Sequence, residues 1–172
     1  MIRVANESDL EEILAIYNDA ILNTTAVYTY KEKDIHERKE WFLSKSEKGH
    51  PIWVYEKDHR VAGFATYGSF REWPAYKYTV EHSIYVHKDF RNYGIGTALL
   101  KTVVEDAQEK GYATIVAGID ASNANSIHLH EKLGFSSAGL IHKAGYKFGQ
   151  WLDLAFYQLI LDGPDNPKEE DY

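Results

Sequence analysis

The stretch Arg91-Asn92-Tyr93-Gly94-Ile95-Gly96 is the part of this chain that decides how the rest is interpreted. It lies between a strand-like run, residues 81–86, and an amphipathic helical pattern over residues 98–107. Glycine lets backbone amides approach a ligand closely, and the first turn of a helix leaves N–H groups unpaired at its positive dipole end. A basic residue, two glycines and an immediate helix start are therefore typical of a diphosphate site.

The surroundings of this loop argue against two common nucleotide-binding motifs. A P-loop carries Lys-Ser or Lys-Thr after its second glycine, whereas Thr97 and Ala98 follow Gly96 here. A dinucleotide-binding fingerprint has three glycines and follows the first strand of its domain, whereas this loop lies in the middle of the chain. The sequence therefore favours a diphosphate ligand other than ATP or NAD.

The composition is that of one globular domain: 172 residues, 44% of them apolar and 14% aromatic. No apolar run approaches the roughly 20 residues that span a bilayer, and no signal-like segment opens the chain, so we expect a cytoplasmic protein without a membrane partner. The formal charge of −7 includes no concentrated basic surface, which argues against nucleic acid as a partner. Because cysteine is absent, neither thiolate metal sites nor an enzyme-bound thioester can form.

Hydrophobic periodicity predicts the element order βα(α)βββαβαββ, with a helix starting at a capping box of Ser8 and Glu11. Strands are expected at residues 2–5, 52–56, 61–68, 79–86, 113–119, 135–142 and 151–161. This order predicts an α/β fold (α+β in some schemes) with helices on both faces of one sheet. Residues 1–161 are expected to form the single domain, and residues 162–172 an acidic, flexible tail.

Three further segments resemble the GNAT superfamily of N-acetyltransferases, whose pyrophosphate loop the glycine stretch also resembles. Residues 79–86 look like the fourth strand of that superfamily, and Asn123-Ala124-Asn125-Ser126, leading to Gly134-Phe135, resembles its Asn-x-x-Ser…Gly-Phe segment. Residues 145–153, Gly-Tyr-Lys-Phe-Gly-Gln-Trp-Leu-Asp, resemble the closing motif of the phosphinothricin and methionine sulfoximine/sulfone acetyltransferase subfamily. The resemblance implies a mixed, mostly antiparallel central sheet and acetyl-CoA as co-substrate.

Glu81 is the candidate catalytic base. Period-two alternation places it on the strand face opposite Ile84 and Val86, which favour burial, so its side chain is expected to face a site or a polar surface. An amine arrives mostly as ammonium at neutral pH and must lose a proton before it attacks a thioester. The resemblance points to the same residue. The alternative is a solvated carboxylate on a strand.

His130 is the candidate general acid for the leaving thiolate. Helical spacing places it on the flank of Leu129 and Leu133, facing inward, with His128 on the opposite side. Many GNAT proteins have tyrosine here, and the phosphinothricin-type subfamily resembles this chain in having histidine. The alternative is a packed, hydrogen-bonded core histidine. The remaining histidines lack metal-type spacing, so no metal is expected.

The resembling segments also suggest how acetyl-CoA would be held. The backbone of Ile84, Tyr85 and Val86 would bond the pantetheine arm like an added strand. The pyrophosphate would lie against Arg91, Asn92, Tyr93, Gly94, Ile95, Gly96 and Thr97. Asn123 would contact the pantetheine arm, with a simple helix N-cap as its alternative role.

The acceptor amine needs a separate recognition surface, for which the loop ahead of Glu81 is the candidate. Arg71 could pair bidentately with a carboxylate or phosphinate, and the resemblance implies a basic residue there; its alternative is a surface charge. Tyr76 could supply an aromatic wall, and the segment from Thr25 to Tyr28 a second wall.

These observations predict an acetyl-CoA-dependent N-acetyltransferase that acts on the primary amine of a small amino-acid-like molecule of the phosphinothricin, methionine sulfoximine or sulfone type. Direct transfer is expected because no cysteine could carry the acetyl group. One alternative is another amine, a protein N-terminus or an aminoglycoside, although Arg71 and Lys77 oppose a polycation. Another is an acyl-CoA-binding sensor, which would need neither Glu81 nor His130. The resemblance also implies a homodimer.

Overall fold

The computed structural model describes residues 1–169, which form one seven-stranded sheet with helices on both faces. The strands are β1 (Ile2–Val4), β2 (Ile52–Lys57), β3 (Arg60–Ser69), β4 (Thr79–Val86), β5 (Thr114–Asp120), β6 (Ser136–Lys147) and β7 (Gln150–Ile160). The helices are α1 (Leu10–Asn23), α2 (Ile35–Glu47), α3 (Ile95–Glu109) and α4 (Ala124–Lys132). The predicted element order is confirmed.

The sheet has the strand order β1-β2-β3-β4-β5-β7-β6. Every neighbouring pair is antiparallel except β4 and β5, which run parallel because α3 crosses between them. The expected mixed, mostly antiparallel sheet is therefore confirmed. The single parallel pair lies at the centre of the sheet. The glycine loop follows β4 after a turn of 3-10 helix at Lys88–Phe90.

Each face of the sheet has its own hydrophobic core. On one face, α3 buries Leu99, Leu100 and Val103 against the central strands. On the other face, α1 packs against β2 and β3, where Val54 and Phe64 are almost fully buried. Burying one such aliphatic side chain stabilises the fold by about 1.5–3 kcal/mol, so the two helical layers hold the central strands from both sides.

The start of α1 differs from the prediction. The capping box consists of Asn6 and Asp9, not Ser8 and Glu11, because a turn of 3-10 helix at Glu7–Asp9 precedes α1 and takes its own cap. Asp9 also accepts two hydrogen bonds from the Arg3 guanidinium, at 2.8 and 2.9 Å, which fixes this turn against β1.

The segment after β7 has no helix or strand over residues 162–169. Gln108 donates to Asp162 at 2.9 Å, and the backbone N–H of Lys168 donates to the Tyr78 hydroxyl at 3.0 Å. The flexibility expected of the tail stays a prediction, and residues 170–172 lie outside the described part. Within residues 1–169, no helix is both long and apolar enough to cross a membrane.

Candidate active site

A cleft opens at the centre of the sheet because β4 and β5 pair over only three residues each. Their last pair joins Glu81 to Val116; beyond it β4 continues beside β3 while β5 continues beside β7. The space between the diverging strands is a cavity of about 910 Å³. Its walls come from β4, β5, the glycine loop, the first turns of α3 and α4, and the segment after α1.

The glycine loop adopts the geometry that the sequence predicts for an anion site. Gly94 is the N-cap of α3 in a left-handed conformation, with φ of 76°, and Asn92 also has a positive φ of 68°. A side chain at Gly94 would meet no atom within 4 Å, so the backbone conformation, not crowding, favours glycine there. Ala98 makes the first helical bond, to the Gly94 carbonyl, at 3.1 Å, so the three preceding amides are available to a ligand.

Two side chains of the loop point in different directions. The Arg91 guanidinium lines the cleft and lies 3.8 Å from the Asp19 carboxylate of α1, a partly exposed pair that an anion could displace. Tyr93 is 65% exposed and does not line the cleft; its ring lies beneath the Lys57 ammonium, 5.2 Å away. Any contact of Tyr93 with a ligand in the cleft would therefore come from its backbone.

Glu81 lies at the point where the strands separate, half-buried in the cleft wall. Its carboxylate rests against Gly118 of β5, where an added Cβ would lie 3.7 Å from Oε2. Among residues 1–169 the carboxylate accepts no hydrogen bond and forms no ion pair within 4.0 Å. Burial raises the pKa of the Glu81 carboxyl above its ordinary value, and the positive charge of Arg71 partly offsets that shift. Such a carboxylate is available to take a proton from a ligand.

His130 faces inward from α4 and His128 is exposed, as predicted. His130 Nδ1 lies 2.6 Å from the Ser126 carbonyl oxygen one turn earlier, and its Nε2 lies 3.0 Å from Nε2 of His82 on β4. The edge of the Phe135 ring packs against both imidazoles. Burial lowers the pKa of both histidines, that of His82 to about 3, with the neighbouring His130 as a second cause.

Asn123 and Asp120 organise the junction between β5 and α4. Asn123 is the N-cap of α4, where its side-chain oxygen accepts from the Ser126 N–H at 3.1 Å, and the residue also lines the cleft. Asp120 is buried and accepts from the Ser122 N–H and hydroxyl, each at 3.0 Å, and from the Thr25 hydroxyl. The N-cap role of Asn123 is therefore seen, and its contact with a pantetheine arm stays a prediction.

The segment after α1 forms the wall opposite β4 and is held by the β6–β7 hairpin. The buried ammonium of Lys147 donates to the carbonyl oxygens of Thr24 and Val27, both at 2.8 Å. The Tyr28 ring packs on Gly145, where a Cβ would approach the ring to 2.8 Å, so only glycine fits. The segment 145–153 thus acts as a support that fixes Tyr28 at the cleft.

Arg71 and Tyr76 lie in the loop between β3 and β4, but only Arg71 reaches the cleft. Arg71 lines both the cleft and a neighbouring cavity of about 190 Å³, and its guanidinium lies 4.6 Å from the centre of the Phe70 ring. Tyr76 lines the smaller cavity, and its ring packs edge-on against Phe70 with centroids 5.8 Å apart. Tyr76 therefore packs against Phe70, on which Arg71 lies, and does not line the cleft.

The structure brings most of the predicted site residues to one cleft. Those that line it are Arg71, Glu81, Ile84, Tyr85, Val86, Arg91, Asn92, Gly94, Ile95, Gly96, Thr97, Asn123, His130 and Tyr28. Tyr93, Tyr76 and Thr25 do not line it, although Thr25 bonds to Asp120, which does. Among the described residues, no group of three or more His, Asp or Glu side chains could hold a metal ion.

Sequence reasoning missed several of the lining residues, of which His82, Asp120 and Phe156 matter most for the site. Alternation places His82 on the strand face opposite Glu81, and His82 is one of the histidines without metal-type spacing, so nothing local marked it as part of the site. Asp120 is the last residue of β5, which runs parallel to β4 and precedes a helix, and this is a common position for polar site residues. Phe156 gave no local signal, since an aromatic residue in a strand is ordinary.

The comparisons with known proteins agree with this geometry. A model of the acetyltransferase (GNAT) family matches residues 11–135. The L-methionine sulfoximine/L-methionine sulfone acetyltransferase of Pseudomonas aeruginosa is 45% identical over 162 residues, which cover 94% of each chain. The phosphinothricin N-acetyltransferase of Alcaligenes faecalis is 31% identical over 98% of this chain and 86% of its own.

A solved structure is similar over nearly the whole chain as well. The putative acetyltransferase yncA from Salmonella typhimurium, solved with its cofactor acetyl-CoA, is 39% identical with a TM-score of 0.94. The similarity covers 98% of this chain and 97% of that one.

Proposed function

Because the chain belongs to the acetyltransferase (GNAT) family, we propose that it transfers an acetyl group from acetyl-CoA to the primary amine of a small amino-acid-like molecule. The observation that carries the proposal is the cleft itself, in which the Glu81 carboxylate and the amides at the start of α3 lie in the walls of one cavity. Family membership makes the protein an acetyl-CoA-dependent N-acyltransferase, and the roles of individual residues are part of the proposal.

The residues present fit acetyl-CoA. The cofactor supplies an activated thioester when bound. The unpaired amides of residues 95–97, with Arg91 beside them, would hold its diphosphate through hydrogen bonds and the positive end of α3. Beyond Glu81 the edge of β4 that faces β5 pairs with no strand, so its backbone could bond an extended amide arm between Ile84 and Val86. Asn123 also lines the cleft and would contact the same arm.

Glu81 would prepare the acceptor. An ammonium group at neutral pH carries no lone pair, so its proton must move before nitrogen can attack a carbonyl carbon. The carboxylate has no competing partner among the described residues, and its raised pKa makes it a better proton acceptor than an ordinary glutamate. Since the chain contains no cysteine, the amine would attack the thioester directly while both substrates are bound.

His130 as the general acid stays a prediction, and its contacts support the alternative role more strongly. Both ring nitrogens already have partners, the Ser126 carbonyl and His82. Burial also lowers the pKa of His130, which disfavours the imidazolium that a general acid would need at neutral pH. A hydrogen-bonded core histidine is consistent with both observations, and a thiolate leaving group places little demand on an acid.

The acceptor would bind at the end of the cleft between Arg71 and Tyr28. Arg71 is the cation there that could pair with a carboxylate, while Tyr28, Leu154 and Phe156 offer an apolar wall for a side chain. A cation at this end of the cleft suits the carboxylate of an amino acid and not a polycationic aminoglycoside. The names of the relatives, which act on methionine sulfone, methionine sulfoximine or phosphinothricin, support the same class.

A thiol-release assay with acetyl-CoA tests the proposal. The amine panel contains methionine sulfone, phosphinothricin, ordinary amino acids, a peptide with a free N-terminus and an aminoglycoside. We expect the first two to accelerate thiol release most. If no amine accelerates release while CoA still binds, the chain is an acyl-CoA sensor; if only the peptide or the aminoglycoside does, the acceptor class is wrong.

We also propose that the protein is a homodimer that uses the β6–β7 hairpin. β6 is an edge strand, and Leu140 and Ile141 on it and Trp151 on β7 are about half exposed or more. Exposed apolar edges of this kind are commonly covered by another chain. Size-exclusion chromatography with light scattering gives the mass; a monomer at micromolar concentration would contradict the proposal.

A further inference from the structure

Where β4 and β5 separate, a contact between His82 and His130 closes one side of the gap. Glu81 is the last β4 residue that pairs with β5, and His82 is the next residue along the strand. In place of a β5 partner, the His82 side chain meets His130 of α4, with the two ring planes nearly parallel at an interplanar angle of 6°. The two rings are only 8% and 4% exposed, so no solvent competes for the contact.

The partners of the two rings fix where their protons lie. The Ser126 carbonyl can only accept, so the proton of neutral His130 is on Nδ1 and its Nε2 has a free lone pair. His82 Nε2 must then be the donor in the bond between the rings. His82 Nδ1 is left as a buried acceptor without a partner among the described residues. The lowered pKa values of both rings agree with a neutral pair at neutral pH.

We propose that His82 is a positioning residue, whose Nε2–H donates to Nε2 of His130 and so joins β4 to α4 where the sheet divides around the cleft. The proposal rests on the proposed function in one respect, that the cleft binds acetyl-CoA. β4 supplies one wall of that cleft, and α4, through Asn123, supplies another. The bond therefore sets the separation of the two walls between which the cofactor would lie.

A positioning role and a simple packing role predict different results for two substitutions of His82. A hydrophobic residue of similar size would keep the packing against Phe135 and lose the donor. A glutamine would keep an N–H donor at a similar reach from the backbone. The affinity for CoA should therefore follow the hydrogen-bond donor and not the side-chain volume at position 82, while the Ser126 carbonyl keeps the His130 proton on Nδ1 in either variant.

The first measurement is the tautomeric state in the unmodified protein. Long-range proton–nitrogen NMR distinguishes protonated from unprotonated ring nitrogens, and variants at positions 82 and 130 assign the signals among the eight histidines. We expect His130 protonated on Nδ1 and His82 on Nε2 at neutral pH. A His130 signal with the proton on Nε2 would overturn the proposal without any variant having to fold.

The second measurement compares His82→Gln and His82→Leu. The control is His128→Gln, which changes an exposed histidine on α4, the helix that carries His130. Calorimetric titration with CoA alone gives the affinity, and steady-state kinetics gives KM for acetyl-CoA, KM for the amine and kcat. For the leucine variant we expect CoA affinity to fall by roughly 3–10-fold, as for the loss of one buried hydrogen bond, with a matching rise in KM for acetyl-CoA. The amine KM should change less, and glutamine should recover most of the loss.

The outcomes separate this proposal from the function. If the leucine variant keeps the CoA affinity of the unmodified protein, His82 only fills space. If glutamine and leucine lose affinity equally, the donor is irrelevant and the proposal is wrong. If the unmodified protein binds CoA but acetylates no amine, the proposed function fails while the tautomer and affinity results still decide the role of His82.

Discussion

Glu81 and His82 are neighbours in β4, yet the two faces of the strand give them opposite properties. Glu81 faces the open cleft without a hydrogen-bond partner among the described residues, and burial raises its pKa towards that of a useful base. His82 faces the α3 and α4 side, where His130 and Phe135 seal it and hold its pKa at about 3. A partnerless group facing a ligand cavity suits proton transfer, whereas a sealed pair suits the placement of walls.

The largest expected effect tests Glu81, on the face of β4 that is open to the cleft. Glu81→Gln removes the proton acceptor and keeps the shape of the side chain, so we expect kcat to fall by roughly 100–10,000-fold, the usual contribution of a general base. The KM for acetyl-CoA should change little because the glycine loop is intact. Rates are measured by thiol release at saturating substrates.

The control for this variant is Glu72→Gln, which removes an exposed carboxylate from the adjoining loop, outside the cleft. Its kcat should equal that of the unmodified protein. If Glu81→Gln also retains the full rate, the open face of β4 is not the catalytic one and the contrast between the two faces has no chemical meaning.

The second largest expected effect is a loss of folding stability at acidic pH, which tests the buried environment of His82. The pKa of His82 is about 3 in the folded protein and 6.5 in an unfolded chain, so the unfolded state binds the proton first as the pH falls. The stability that His82 contributes is complete above pH 6.5 and is lost as the pH falls from there towards 3. By pH 5 the loss should reach about 2 kcal/mol in the free energy of unfolding.

Urea unfolding at pH 7.5 and pH 5 measures this loss, with His82→Gln as the comparison because glutamine does not titrate. The unmodified protein should lose about 2 kcal/mol more than the variant between the two pH values. Equal losses would mean that His82 is accessible to protons in the folded state, and the two faces of β4 would then differ less than the structure indicates.

Local sequence patterns were enough to predict the directions in which Glu81, His82 and His130 face. Strand alternation placed Glu81 and His82 on opposite faces, and helical spacing turned His130 inward. The bond between His82 and His130 was not predictable, because it depends on how α4 lies across β4, and that is decided by packing over a sequence separation of 48 residues. The same holds for Lys147, whose acceptors, Thr24 and Val27, lie more than a hundred residues earlier.

Local signals also failed where two structures compete within a few residues. Ser8 and Glu11 have the spacing of a capping box, yet the 3-10 turn before α1 selects Asn6 and Asp9. β6 was expected to end near residue 142, but it continues to Lys147 through an irregularity between Ile141 and Gly145, where Lys143 has a positive φ. Such bulges interrupt the period-two pattern from which a strand is inferred.

The smallest expected effect concerns Arg71, whose positive charge lowers the pKa of Glu81. Arg71 lowers the pKa of Glu81 against the effect of burial, so Arg71→Gln should raise that pKa further. Glu81 must be ionised to accept a proton; therefore the acidic limb of the kcat profile should move to higher pH. The change in rate on that limb should stay below about threefold, because Arg71 is exposed and water and salt screen its charge. Arg71→Lys keeps the charge and should leave the limb in place, with kcat measured at saturating amine so that weaker acceptor binding does not contribute. A limb that moves equally in both variants would mean that the shape of the arginine and its packing on Phe70, not its charge, act on Glu81.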